Sequence, residues 1–343
     1  MIRLNNDYCR GALPCVMKAL TDDAANTYPG YGRDSVCDEA ADMIRKLCSC
    51  PDADVHFFAG ATQANFVAVA AALTSVESVI AADTGHINVH EAGSIENTCH
   101  KIQELPNSGG KISAAQIRGC VELYHGEGDP EYYTEPKMVY ISFPTEQGTL
   151  YSLSELREIS AICREFGLYL FVDGARMAYG LASPVNDVTP ADLASLADVF
   201  YFGGTKCGAL FGEALVITNS RLKPRFKAYM KQNGAVLAKG WLLGLQFRAL
   251  LESGEYFSAA AHADELALKI RKAFEDRGIP LWADSPTNQQ FVILSDAQKE
   301  KLSENFISED QGRCERGNIV RFCTSWATSD EEADALIREI NAL

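Results

Sequence analysis

The feature that most constrains the fold is an alternation, up to about Leu251, between short apolar runs and longer segments with helical spacing. The short runs are rich in β-branched and aromatic residues, as in strands buried on both faces. Strands that alternate with helices in this way form βαβ units, so the pattern predicts an α/β fold built on parallel strands. The predicted strands are Val55–Ala59, Val79–Ala82, Met138–Ser142, Leu168–Val172, Val199–Phe202 and Ala214–Ile217.

The predicted helices include Thr62–Leu73, Leu153–Phe166 and Ser258–Asp276. The second of these has clear end signals. Ser152 and Glu155 have the spacing of a capping box, in which each residue satisfies a free backbone N–H group near the other. Gly167 follows as a C-terminal cap, because glycine adopts the left-handed conformation that ends many helices.

The pattern changes after Leu251. From there the chain reads as a helix, a short strand, a helix, a second strand and a helix, with Phe291–Leu294, Ile319–Cys323 and Asp330–Asn341 as its clearest elements. This order indicates a smaller α+β unit. We therefore expect a large domain over residues 1–252 and a small C-terminal domain over residues 253–343, with the N-terminal segment as a candidate to pack on the small domain.

Charge and cysteine content narrow the possible partners and compartments. The formal net charge of −15 argues against nucleic acids and anionic membranes as partners. The eleven cysteines form no paired framework, and Cys48 and Cys50 lack a second Cys/His pair at zinc spacing, so no metal site is expected. The N-terminus has no apolar signal core, and the longest apolar stretch, Phe66–Leu73, is too short to span a bilayer. We expect a cytoplasmic protein with reduced cysteines.

In open α/β sheets ligands bind at the carboxyl ends of the strands, so the residues after each strand are the candidates for a site. After Val55–Ala59 come Gly60, Ala61 and Thr62, which open a helix. The free N–H groups of a helix start bind phosphate well. Taken alone, this segment is more typical of an ordinary strand-to-helix turn.

His86 and Glu91 follow the strand Val79–Ala82. A histidine at this position can stack on a flat ring or move protons near neutral pH. On this segment alone, a locally paired loop histidine is the simpler interpretation.

Asp173 and Arg176 follow the strand Leu168–Val172. An aspartate at a strand end can pair with the pyridine nitrogen of pyridoxal phosphate (PLP), because a protonated ring is the better electron sink. The arginine can meet either an oxygen of the cofactor or a substrate carboxylate. A turn aspartate beside a surface arginine is the alternative.

Lys206 lies among glycines after the strand Val199–Phe202. Lysine forms a Schiff base with an aldehyde cofactor once its pKa is lowered. A solvated loop lysine would explain the residue if it stood alone. Successive strand ends instead offer a phosphate cradle, a ring-stacking histidine, a pyridinium partner and a lysine, which together predict a PLP site.

With these motifs the chain resembles the low-specificity threonine aldolases, in the β-eliminating lyase/threonine aldolase group of fold-type I PLP enzymes. The similarity extends from Asn6 to the strand that contains Arg321, and it is most specific in three segments: Gly85–Gly93, Asp173–Arg176 and Gly204–Lys206. The resemblance implies an aspartate-aminotransferase-like fold, with a mostly parallel seven-stranded sheet flanked by helices and a smaller C-terminal α+β domain.

The resemblance also implies roles for individual residues. The cofactor would be held by Gly60, Ala61, Thr62, His86, Asp173, Arg176, Lys206 and Lys231. Of these, Lys231 would be reached across a subunit interface, which implies a homodimer or homotetramer. The substrate carboxylate would be held by Asn6, Arg176 and Arg321, and the segment containing Tyr31 would lie near the site.

One departure from the family concerns the catalytic base. The family often has a second active-site histidine, where this chain reads Pro144-Thr-Glu146. A second departure is Ala61, where the phosphate loop of the family usually has glycine. We therefore expect His86 to accept the proton of the substrate hydroxyl, aided by Glu91 or by Glu146 through water. The candidate catalytic residues are Lys206, His86, Glu91 and Glu146.

The resemblance implies cleavage of a small-molecule amino acid with a β-hydroxyl group, threonine or a relative, to glycine and an aldehyde. One alternative keeps PLP and catalyses β-elimination to pyruvate and ammonia. Another is a catalytically silent protein of the same fold that binds a ligand. A Rossmann-type dehydrogenase is not supported, because no G-x-G-x-x-G motif follows the first strand.

Overall fold

The computed structural model describes all 343 residues. The chain begins with a short strand, β1 (Ile2–Arg3), and two helices, α1 (Pro14–Asp22) and α2 (Ser35–Leu47). None of the helices in the structure combines the length and the apolar character that a membrane span requires.

A seven-stranded sheet forms the centre of the protein. Its strands are β2 (Asp54–Phe58), β3 (Glu77–Ala82), β4 (Lys101–Leu105), β5 (Glu135–Ser142), β6 (Tyr169–Asp173), β7 (Val199–Gly203) and β8 (Glu213–Ile217). They lie in the order β2-β8-β7-β6-β5-β3-β4. The neighbouring strands β4, β3, β5, β6 and β7 are parallel, whereas β8 runs antiparallel to β2 and to β7. The mostly parallel sheet is therefore confirmed.

Helices cover both faces of this sheet, since successive residues of one strand join different hydrophobic clusters. In β3, Ile80 packs in the largest cluster and Val79 in the second. The covering helices are α3 (Ala61–Ala72), α4 (His86–Val89), α5 (Ala114–Gly126), α6 (Leu153–Phe166), α7 (Met177–Ala182), α8 (Pro190–Leu196), α9 (Phe226–Gln232) and α10 (Trp241–Ser253). In α6 the predicted capping box of Ser152 and Glu155 is present, and Gly167 ends the helix at φ 66°.

The remaining elements are a smaller three-stranded sheet, three helices and one further short strand. They are α11 (Glu255–Asp276), β9 (Gln289–Leu294), α12 (Asp296–Ser303), β10 (Phe306–Ile307), β11 (Glu309–Cys314), β12 (Gly317–Cys323) and α13 (Asp330–Asn341). β12 lies between β11 and β9, antiparallel to both. The N-terminal strand β1 pairs with β10, and Leu4 packs in the hydrophobic cluster of this region. The chain start therefore lies against the C-terminal elements. The division into domains at residue 252 stays a prediction.

Candidate active site

A cleft at the carboxyl ends of the parallel strands brings together six of the predicted site residues. These are Ala61, His86, Glu146, Asp173, Arg176 and Lys206, and Ser142, Pro144 and Ala175 complete the lining. They come from the ends of five strands, β2, β3, β5, β6 and β7, or from the turns that follow them, which is the arrangement expected for a ligand site in an open α/β sheet.

Lys206 lies in a tight turn after β7 that only glycine allows. A Cβ atom on Gly203 would lie 2.3 Å from the carbonyl oxygen of Ala175, and one on Gly204 would lie 2.6 Å from that of Gly212. Burial lowers the pKa of Lys206, and the charge of Arg176 acts in the same direction. A lysine with a lowered pKa is more often a neutral amine, which is the form that attacks a carbonyl group.

Asp173 ends β6 as a carboxylate surrounded by donors. It accepts hydrogen bonds from the Tyr140 hydroxyl at 2.5 Å, the Ala175 amide at 2.9 Å and the Asn65 side chain at 3.1 Å. The residue is only 4% exposed. Donors on both oxygens fix the orientation of the carboxylate, as a partner for a ring nitrogen requires.

His86 is held by a second carboxylate. Its Nδ1 atom lies 2.8 Å from Oε1 of Glu91, whose side chain is fully buried. Asn65 donates to Glu91 at 2.7 Å as well as to Asp173. Asn65 therefore links the His86–Glu91 pair to Asp173, the predicted partner of the cofactor ring. Because Nδ1 of His86 contacts Glu91, Nε2 is the nitrogen available for proton transfer.

Glu146, which the resemblance places where the family often has a histidine, lines the same cleft. Its Oε1 atom accepts hydrogen bonds from the Ser142 hydroxyl at 2.6 Å and the His86 backbone amide at 2.9 Å. Burial raises the pKa of Glu146. A carboxyl group with a raised pKa is a stronger base near neutral pH than an ordinary glutamate.

Arg176 is engaged by an acid that the sequence did not reveal. Its Nε and Nη2 atoms donate to the two oxygens of Asp7 at 2.7 and 3.0 Å, and Asn288 donates to the same carboxylate at 2.9 Å. Burial acts to raise the pKa of Asp7, but the charges of Arg176 and Lys206 outweigh it and lower the pKa to about 2. The edge of Arg176 that carries Nη1 has no partner from Asp7 and remains for a ligand.

Arg321 and Asn6, the other residues predicted to hold the substrate carboxylate, lie in or against the N-terminal segment. Arg321 donates to the Gln289 side chain and to the Asn5 carbonyl oxygen, each at 2.9 Å, and forms an ion pair with Glu309. It does not line the cleft. Asn6 accepts a hydrogen bond from the Tyr8 amide at 3.1 Å. The ring of Tyr8 lies 6.0 Å from Nζ of Lys206, so this segment reaches the site.

Tyr31 and Lys231 lie apart from the cleft. The ammonium group of Lys231 is 4.7 Å from the centroid of the Tyr31 ring. Tyr31 lines a different cavity, with His56 and Met230 among its neighbours. The structure of one chain therefore does not bring these two predicted residues to Lys206.

The residues of the cleft fit PLP. Gly60 is the N-cap of α3, and no side chain caps this helix, so the free N–H groups of Ala61 and Thr62 suit a phosphate. Asp173 offers an oriented carboxylate for the ring nitrogen, and Lys206 offers an amine of lowered pKa. These groups match the three parts of PLP that a protein must hold: the phosphate, the ring nitrogen and the aldehyde.

Comparisons with known proteins agree with this geometry. The family model of β-eliminating lyases matches residues 15–297. A low-specificity L-threonine aldolase of Pseudomonas sp. (strain NCIMB 10558) is 33% identical over 324 residues, covering 91% of this chain and 89% of that protein.

Solved structures extend the comparison to the fold. That of a Leishmania major threonine aldolase is 43% identical, with a TM-score of 0.97, and covers 100% of this chain and 99% of that one. A Thermus thermophilus aspartate aminotransferase mutant, 14% identical with a TM-score of 0.74, covers 100% of this chain and 91% of its own, and shares the fold. On these matches, the chain belongs to the β-eliminating lyase family, whose members are PLP-dependent enzymes.

Proposed function

We propose that this protein is a PLP-dependent carbon–carbon lyase that cleaves a β-hydroxy-α-amino acid, of the threonine or allo-threonine type, into glycine and an aldehyde. The observation that carries the proposal is the single cleft in which Lys206, Asp173 and His86 meet. The similarity to threonine aldolases over nearly the whole chain supports it.

The cofactor chemistry assigns three residues of the chain to binding. Lys206 would hold PLP covalently, Asp173 would pair with the ring nitrogen, and the start of α3 would hold the phosphate. When bound, PLP supplies the electron sink that bond cleavage next to an amino group needs. The chain itself decides which bond of the substrate is cleaved, because it fixes the orientation of the substrate.

Orientation of the substrate falls to Arg176, Arg321 and Asn6. Arg176 lines the cleft, and Asp7 holds its guanidinium plane through Nε and Nη2, which leaves Nη1 without a partner from Asp7. Because Asp7 already occupies the other edge, Arg176 would meet the substrate carboxylate through Nη1 rather than as a full fork. Arg321 would reach the carboxylate only after its contact with Glu309 adjusts.

His86 is the proposed acceptor of the hydroxyl proton. Glu91 accepts the hydrogen bond from Nδ1–H, so that Nε2 carries the lone pair that takes the proton. A general base contributes about 10²–10⁴-fold in rate. Glu146 is the second candidate, acting through water, because burial raises its pKa.

The proposal includes a homodimer or homotetramer with shared sites. Tyr31 and Lys231 match family positions near the cofactor, yet they lie apart from the cleft of their own chain. Contact with the cleft of a second copy would reconcile these positions.

β-Elimination is the second candidate, since the matching family model is that of β-eliminating lyases. The test is product analysis after incubation with PLP and either L-threonine, L-allo-threonine or L-serine. We expect glycine and an aldehyde in equal amounts, and no products from Lys206→Ala. Pyruvate and ammonia from serine, without glycine, would assign the elimination reaction instead. A protein that takes up PLP but yields no product from any of these amino acids would favour a silent ligand-binding protein.

A further inference from the structure

A buried acid stands beside the turn that carries Lys206. Glu213 opens β8, directly opposite Gly203 of β7 in the antiparallel register. It is 2% exposed, and the rest of its strand is apolar, from Ala214 to Ile217. Burying a carboxyl group in such a strand is costly unless the group is hydrogen-bonded or paired.

Both oxygens of Glu213 are bound by the two residues that precede Lys206. The Gly204 amide donates to Oε2 at 3.0 Å, and the Thr205 hydroxyl donates to Oε1 at 2.7 Å. The same hydroxyl accepts a hydrogen bond from the Gly212 amide at 3.0 Å. The carboxyl group therefore fixes the path of the backbone that places Lys206.

Hydrogen bonding alone does not require an acid at this position. A glutamine could accept from the Gly204 amide through its oxygen and donate to the Thr205 hydroxyl through its NH2 group, without the cost of a buried charge. Burial raises the pKa of Glu213 to about 8, although the turn and the charge of Lys206 act to lower it. In the same way, Glu213 favours the protonated form of Lys206. The acid is therefore linked to the charge of the lysine.

Lys206 is the cation among the ionisable groups that act on Glu213. Asp173 is the other charged group that acts on it, and its effect is repulsive. Tyr201, Tyr256 and Cys207 also face it, but burial raises the pKa of each, so they stay neutral near pH 8.

We propose that Glu213 is a positioning residue for the reaction, which holds the Lys206 turn through Gly204 and Thr205 and, in its ionised form, stabilises the protonated nitrogen of Lys206. This inference rests on the proposed function only in taking Lys206 as the residue that carries PLP. Binding of a proton at Lys206 and loss of a proton from Glu213 then favour each other, as linkage requires.

The test is a pH titration of the absorbance that PLP acquires on Lys206, recorded on the holoenzyme without substrate. In Glu213→Gln the side chain can still bond to Gly204 through its oxygen and to the Thr205 hydroxyl through its NH2 group, but the charge is lost. We expect the midpoint of the titration to fall by about one pH unit, a tenfold weaker affinity of the Lys206 nitrogen for a proton. Asp264→Asn is the matched control, because Asp264 is also a buried acid of raised pKa but lies on α11, away from Lys206. It should leave the midpoint unchanged.

A second variant protects the test against a folding failure of Glu213→Gln. Thr205→Val keeps the acid but removes a hydrogen bond that favours its charged form. Its midpoint should shift in the same direction by a smaller amount. Wild-type midpoints in both variants, with normal PLP content, would overturn the inference. If the wild-type protein acquires no such absorbance with PLP, the proposed function fails instead.

Discussion

The carboxylate of Asp7 holds the guanidinium group of Arg176 through two hydrogen bonds, of 2.7 and 3.0 Å, across 169 positions of the sequence. Asn288 donates to the same carboxylate and also to the Thr324 carbonyl oxygen, both at 2.9 Å. The N-terminal segment therefore connects a predicted substrate-binding arginine to the C-terminal elements. A change in the packing of these elements would move Arg176.

This relationship makes acid stability depend on Asp7. Its pKa is lowered from 3.8 to about 2, so its contribution to stability is present above pH 4 and is lost as the pH falls towards 2. The shift corresponds to about 2 kcal/mol. We expect Asp7→Asn to unfold with a shallower pH dependence than the wild type over this range, as measured by urea denaturation. Parallel curves for the two proteins would contradict the assignment.

Three substitutions show which residue acts as the catalytic base. If His86 accepts the hydroxyl proton, His86→Asn should lower kcat by about 10²–10⁴-fold. Glu91→Gln should lower it less, because the glutamine oxygen can still accept from Nδ1 of His86 but the carboxylate is lost. Glu146→Gln should have the smallest effect on kcat. A larger loss in Glu146→Gln than in His86→Asn would transfer the role to Glu146.

Shared active sites predict complementation between a Lys206→Ala chain and a Lys231→Ala chain, tested at a PLP concentration too low to load Lys231→Ala. We expect Lys206→Ala to be inactive and Lys231→Ala to bind PLP more weakly, because it loses a cation near the phosphate. If Lys231 acts in the cleft of the partner subunit, mixed dimers contain one cleft with both lysines intact. Activity should therefore reappear when the two variants are unfolded and refolded together. A protein that is monomeric and fully active at assay concentrations would rule out this arrangement.

The strands that sequence reasoning predicted are those with apolar residues on both faces, such as β6 and β7. It missed β4, whose sequence Lys-Ile-Gln-Glu-Leu lies at the sheet edge, and β11, which is polar throughout. Most side chains of these two strands are polar and at least partly exposed, so their composition does not distinguish them from loops.

The same limit applies to the site. Lys206 and Asp173 were predicted because each lies at or just after the end of a buried strand. Asp7 and Asn65 reach the site from distant positions that no local pattern marks. Glu213 did leave a signal, a single acid at the start of an apolar strand just after the lysine turn.

Arg321 tests how the C-terminal sheet contributes to substrate binding. It lies in β12, with a side chain 12% exposed, and it contacts Glu309, Gln289 and the Asn5 carbonyl oxygen rather than the cleft. If it holds the substrate carboxylate, the substrate must compete with Glu309 for the guanidinium group. Loss of a charge-assisted contact costs about 1.5–3 kcal/mol, so Arg321→Ala should lower kcat/KM by about 10- to 150-fold with little change in PLP content.

If the substrate competes with Glu309 for Arg321, removing the charge of Glu309 should strengthen substrate binding. Glu309→Gln weakens the hold on Arg321 but leaves the arginine charged, so KM for the amino acid should fall while kcat stays nearly constant. Arg313→Ala is the control, because Arg313 lies on the neighbouring strand and pairs with the exposed Asp296. Steady-state kinetics and PLP content of the three variants should be measured together. Normal kinetics in Arg321→Ala would show that the residue has a purely structural role, and loss of PLP would show that it binds the cofactor.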